Sequence, residues 1–253
     1  MLALLAGLST TIGSFIAFIF SKPSPKIICI IMGFSAGVMI LISFVELLQE
    51  GIDSTTLLLG VIFFILGMVI MLIIDVFISH SYEFEEGSYE ESPNNAKKSI
   101  TQKNLEIQKT SLLITLGIMI HNLPEGMATF VGTLKSLDLG ILLALAIALH
   151  NIPEGIAVSV PIYSSTGSKK KAFFWSFLSG ISEFIGALLC GLFLYPFINE
   201  FILGAMLAIV GGFMIYISLD ELLPVSRSYG NEHLSIIGMM IGMLIMGLSL
   251  TIL

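Results

Sequence analysis

Two short stretches of the chain read almost identically. The first is His121, Asn122, Leu123, Pro124, Glu125, Gly126; the second, 29 positions later, is His150, Asn151, Ile152, Pro153, Glu154, Gly155. Within each, His and Glu are four apart and Asn and Glu three apart, so on a helix all three side chains share a face. Imidazole nitrogen with carboxylate oxygen is the donor mixture suited to zinc and its divalent transition-metal neighbours, whereas calcium and magnesium favour all-oxygen shells. Two His–Glu pairs supply enough donors for one tetrahedral ion. Bridging carboxylates and the asparagines leave room for a second, and spacing alone does not choose between one ion and two.

The elements that carry these residues must lie in a membrane. Of 253 residues, 56% are hydrophobic and only 11% charged, and the mean hydropathy is +1.00. So few charges do not keep so apolar a chain dissolved in water. Stretches long enough to cross about 30 Å of hydrocarbon, roughly 20 residues of helix, fall near 1–20, 27–49, 54–79, 110–133, 139–163, 173–195, 200–223 and 234–253. A barrel would need short alternating segments, so the expected fold is an all-α integral membrane protein: eight transmembrane helices in a single unit over 1–253. The stretch Met1 to Phe20 has no basic flank before its apolar run, so it reads as a first spanning helix rather than a cleaved secretory peptide.

The charges set orientation and exclude other classes. Net charge is −7 and no basic block is present, which argues against nucleic acid as a partner. Ten of the eleven Lys and Arg fall in odd-numbered loops, and only Lys135 lies in an even one. The positive-inside rule then places odd loops in the cytoplasm and both termini outside. Cys29 and Cys190 lie inside apolar runs and suggest neither a metal knuckle nor a disulfide framework. The middle loop, 80–109, is acidic and then basic. It reads as a solvated cytoplasmic linker, or as a weak cation-collecting segment built on His80 and its glutamates.

Ionisable residues at mid-membrane depth are costly unless paired or ligating, so the two hexads mark the expected site. Pro124 and Pro153 predict kinks in helices four and five that face a cavity or protein, and Gly126 and Gly155 predict close helix approach. Glu183, within Ser-Gly-Ile-Ser-Glu, is a further candidate for the centre. Met39, Ser43, Glu46, Asp75, His80, Asp220 and Glu221 are candidates for a path to and from it, although an acid near a helix end needs no metal. The bland alternative for the hexads is interhelical polar glue, but two copies of a costly ionisable pair exceed what glue requires. Most of the 13 methionines are packing residues. The metalloprotease string His-Glu-x-x-His is absent, which argues against an enzyme of that kind.

With these paired His-Asn-x-Pro-Glu-Gly strings and Glu183 beyond them, the sequence resembles the ZIP family of divalent-metal transporters, most closely its bacterial ZupT-like branch. The resemblance covers essentially the whole chain. It implies that His121, Glu125, His150 and Glu154 hold one transported ion. Asn122, Glu125, Asn151, Glu154 and Glu183 would form a neighbouring position, less negative here because some relatives carry Asp where this chain has Asn151. It also implies a homodimer in the lipid bilayer of the bacterial cytoplasmic membrane, moving zinc, iron, manganese, cobalt or cadmium inward, with no prosthetic group. No GxxxxGK[ST] loop occurs, so no ATP-hydrolysing domain is expected. A secondary or facilitated transporter is the expected function, against two rivals: a metal exporter and a non-transporting membrane sensor.

Overall fold

The computed structural model describes residues 1–19, 24–78, 119–120, 122–228 and 230–252. Every regular element among them is helical. In chain order these are α1 (Leu2–Ile19), α2 (Pro25–Ser54), α3 (Leu57–Ile78), α4 (122–135), α5 (Leu137–Thr166), α6 (Lys169–Phe193), α7 (Glu200–Ser228) and α8 (Glu232–Ile252). All but α4 are long and apolar enough to cross a membrane by length and composition. The chain thus forms the expected membrane-spanning helical bundle. The middle loop and His80 lie outside the described residues.

Helix ends are set by local chemistry. Ser24, Ser136, Ser168 and Asn199 each turn an extended backbone into a helix start, their side chains accepting the amide of the third residue on. Gly167, at φ 65°, closes α5 in the left-handed conformation that glycine adopts without strain. α2 and α7 are longer than hydropathy suggested, because each continues past a single π-helical turn, Ser43–Leu47 in α2 and Ser218–Leu222 in α7. Neither hexad proline ends its helix: the described helical residues continue through Pro124 and through Pro153.

Two groups of helices are knitted by backbone contact. Apolar side chains gain little by leaving lipid, so association in a membrane relies on close packing and interhelical hydrogen bonds, and small residues permit both. α1 meets α6 where Gly7 faces Gly180, and α5 where Gly13 faces Ile152 and Gly155. α4 meets α6 where Gly126 faces the Glu183 backbone and Gly186 faces Leu123. In the second group, Gly33 and Gly37 of α2 oppose Ser235 and Met239 of α8, while Gly67 of α3 and Gly212 of α7 lie against Ile209 and Phe64. Buried hydroxyls add bonds inside the first group: Ser14 Oγ shares a hydrogen with Ser159 Oγ at 2.6 Å, and Ser176 Oγ donates to the Thr10 carbonyl at 3.0 Å. Between the groups, α2 packs on α5, and the main core there includes Met39 of α2, Leu143 of α5 and, from α7, Met214.

Among the described residues, an ionic tie joins the groups at the α4–α5 connection. Lys135 Nζ lies 3.4 Å from Glu50 Oε2 and 3.2 Å from Glu200 Oε1, and donates to Ser54 Oγ at 2.7 Å. Partial burial works to lower the lysine's proton affinity, but hydrogen bonds and charge from Glu200 and Glu50 outweigh it, so Lys135 sits above its ordinary pKa. The lone basic residue of the even-numbered loops is therefore held by two acids.

The glycine packing and the lysine tie each make a stability expectation. A Cβ at Gly155 would overlap the Thr10 carbonyl, which is backbone and cannot rotate away. Gly155→Val should lower thermal stability in detergent by about 1–3 kcal/mol or prevent a monodisperse fold, whereas Gly247→Ala, meeting only Leu41 Cδ2 at 3.5 Å, should leave the melting curve unchanged. Lys135→Met should cost less than about 1 kcal/mol for each part-exposed pair it breaks. A lysine pKa raised by folding contributes fully below its unfolded value and loses its contribution as pH rises through the folded one. The difference between wild type and Lys135→Met should therefore stay constant through neutral pH and vanish only in strongly alkaline buffer, as read by thermal unfolding.

Candidate metal centre

The hexads deliver their side chains to one place. Because α4 and α5 are consecutive and antiparallel neighbours, the face bearing Asn122 and Glu125 meets the face bearing His150, Asn151 and Glu154. All five are fully buried, as is Glu183 on α6. His150 Nε2 is 3.2 Å from Glu125 Oε1. One ligand atom from each of Glu125, His150 and Glu154 lies within 4.8 Å of the other two. Three donors this close are near the spacing that one shared cation requires at bond lengths of about 2.0–2.2 Å. His121 lies outside the described residues.

The asparagines are held by their amide nitrogens. Asn122 Nδ2 donates to the Ser179 carbonyl at 3.1 Å and to Ser179 Oγ at 3.3 Å. Asn151 Nδ2 donates to the Ala6 carbonyl at 3.0 Å, and also to Glu183 Oε1. With the amide nitrogens fixed, each side-chain oxygen is turned away from those acceptors. Among the described residues, Asn122 Oδ1, Asn151 Oδ1, Glu125 Oε2, Glu183 Oε2 and His150 Nδ1 are buried without a hydrogen-bond partner. Buried polar atoms are ordinarily satisfied, and five orphans around one cluster are the signature of a site built for something absent from the chain itself.

Charge points the same way. Glu154 is within electrostatic reach of Glu125, Glu183 and Glu221, and Glu183 within reach of Glu125. The described partners of Glu125 and Glu183 are an imidazole and an amide rather than lysine or arginine. Several carboxylates in a medium of low dielectric are tolerable only if protonated or if a cation joins them. A divalent cation would neutralise two of them and draw on the unpartnered oxygens at once.

The remaining candidates are dispersed. Glu221 is buried on the π-helical turn of α7 and couples to the cluster through Glu154. Asp75 of α3 accepts a hydrogen bond from Tyr216 OH at 3.1 Å, and Asp220 also bears on Tyr216. Met39 is packed in the main core and Ser43 Oγ donates to the Met39 carbonyl at 2.6 Å. Glu46 is half-buried near Glu50. Sequence reasoning missed the supporting contacts of α1, whose Ala6 carbonyl fixes Asn151, and of α2, whose Ser35 Oγ donates to the His150 carbonyl at 3.3 Å. A backbone acceptor leaves no mark in sequence.

A second duplication, in α2 and α7, does leave a mark that sequence reasoning passed over. Residues 39–48, MILISFVELL, and 214–223, MIYISLDELL, agree at seven of ten positions, displaced by 175 residues. The shared Ser and Glu form the matching π-helical turns, and each Ser donates to the carbonyl of the preceding Met, at 2.6 Å from Ser43 and 2.7 Å from Ser218.

Comparison with known proteins agrees with this architecture. Residues 77–250 match the family described as ZIP Zinc transporter. A protein of Clostridium perfringens named zinc transporter ZupT is 46% identical, over 99% of this chain and 94% of its own length. Proteins of the same name from Streptococcus mutans, 45% identical over 99% of this chain and 95% of the relative, and Campylobacter jejuni, 44% identical over 100% and 95%, align equally fully. Full-length similarity at this level, on a bundle of spanning helices with a buried His–Glu cluster, makes the chain a member of the ZIP zinc transporter family, in its ZupT-like branch.

Proposed function

We propose that this protein carries zinc, and with it iron, manganese, cobalt and cadmium, inward across the bacterial cytoplasmic membrane, using the α4–α5 cluster as the transported ion's binding site. The observation that carries the reading is the set of fully buried ligand atoms of Glu125, His150 and Glu154 within 4.8 Å of one another. His121 would complete this site, and Asn122, Asn151 and Glu183 would supply the neighbouring oxygens. The relatives' shared name, zinc transporter, supports zinc as cargo. Family membership makes the protein a transporter rather than an enzyme.

A hydrated ion would enter from outside, exchange its waters for Glu and His donors, and leave towards Glu221, Asp220 and Asp75, with His80 and the acidic loop beyond. The positive-inside distribution of Lys and Arg supports a cytoplasmic middle loop and external termini. The membrane potential is a sufficient source of energy: a doubly charged ion gains about 4.6 kcal/mol per 100 mV. The exposed apolar faces of α3 and α8 belong in the bilayer or against a second copy, as a homodimer requires. Neither nucleic acid nor an ATP-hydrolysing domain enters this scheme.

The test is zinc influx into sealed liposomes with purified wild type, His150→Ala and Glu125→Gln, with iron and manganese as competitors. Saturable influx should appear for wild type and fall at least about tenfold in either variant, the lower end of what even supporting contacts at metal sites contribute. Undiminished influx in both variants would reject the site. Zinc binding by wild type with no influx under a gradient and a potential would instead favour a sensor.

A further inference from the structure

The repeat shared by α2 and α7 has a geometric counterpart. The second half of α2, from Ser43 onwards, packs on the first half of α7, and the second half of α7, from Ser218 onwards, packs on the first half of α2. Equivalent residues make equivalent contacts at the fixed offset of 175. Near one end, a Cβ on Gly204 would press on Ser54 and the Glu50 carbonyl, while Gly51 lies against Ala208 and the Gly204 carbonyl. Near the other, Cys29, the equivalent of Gly204, gives its carbonyl to Ser226, the equivalent of Gly51, at 2.6 Å. The two helices therefore form an antiparallel pair related by a local two-fold, and Glu46 and Glu221 occupy equivalent places on opposite sides of its centre. In transporters built from inverted repeats, substrate and ion sites lie at the interface between the repeats.

From this we infer that Glu46 is a cation-binding residue on the outer approach to the buried cluster, the counterpart of Glu221 on the inner side. The inference rests on the transport reading above and adds to it a residue, a side and a role. Three observations converge on it. The π-helical turn that presents Glu221 to the cluster is repeated at Glu46, with the same serine bond. Single π-helical turns inside α-helices are frequent at functional sites. Glu46 is half-buried where Glu221 is buried, as expected of one member facing water and the other facing the occluded centre. No described cation pairs with Glu46: the nearby lysine, Lys135, is engaged by Glu50, Glu200 and Ser54, while Glu50 adds negative charge beside Glu46. A carboxylate so placed favours a divalent cation arriving from outside and, being part-exposed, holds it weakly enough to pass it on.

The experiment is zinc-65 uptake by intact cells producing the full-length chain, with initial rates measured over a range of zinc concentrations. Glu46→Gln should raise KM about fivefold or more, the scale of removing one charge that attracts the ion at a part-exposed place, with Vmax nearly kept. Glu46→Asp should restore KM to within about twofold. Glu221→Gln should do the reverse, lowering Vmax with little change in KM. A folding defect lowers the amount of active protein and hence Vmax, so it cannot imitate the KM change. An unchanged KM in Glu46→Gln, beside active wild type, overturns the assignment of Glu46 while leaving the cluster intact. Absence of saturable uptake by wild type overturns the transport reading, and this inference with it.

Discussion

The structure depends on one costly placement: Glu125, Glu154 and Glu183 are fully buried beside a fully buried imidazole. In a medium of low dielectric an unpaired charge is disfavoured by several kcal/mol, so every neighbouring element is arranged around these groups. α4 and α5 bring them together, α6 adds the third carboxylate, and α1 supplies a backbone acceptor that turns Asn151. The glycine contacts among these four helices are part of the same solution. They exclude lipid and let backbone carbonyls and serine hydroxyls reach groups that ordinary side-chain spacing would leave out of range. Stability and ligand capacity oppose each other here, because each orphaned oxygen that suits a cation is a group the fold leaves unsatisfied without one.

Much of this was legible before any coordinates. Hydropathy located the spanning segments because the apolar runs are long and interrupted by polar loops, and the duplicated hexad pointed to the candidate cluster because ionisable residues inside spanning helices are costly. Of the residues that the helical spacing singled out, the fold brings ligand atoms of Glu125, His150 and Glu154 within 4.8 Å of one another. The ends of α2 and α7 were less legible, since the π-helical turns carry the helices past Glu46 and Glu221 into more polar sequence that hydropathy discounts.

The partners of the glycines were not legible at all. Gly126 and Gly155 read as close-approach residues, which they are, yet Gly126 faces α6 and Gly155 faces α1 rather than each other's helices. A small residue announces that a backbone comes near without saying which. The prolines drew attention to irregularity in the hexads, whereas the described π-helical turns belong to α2 and α7. The sequence signal for those turns was present in the duplicated Ser-x-x-Glu-Leu-Leu.

The tie at Lys135 bears on how the protein is assembled. Its three partners come from distant parts of the chain, Glu50 and Ser54 well before it and Glu200 65 residues after it. During synthesis the connection between α4 and α5, with its positive charge, is made before α7 exists. Only when α7 has entered does the second carboxylate arrive, so the completed tie forms late in biogenesis and records that the two helix groups, interleaved along the chain, have come together.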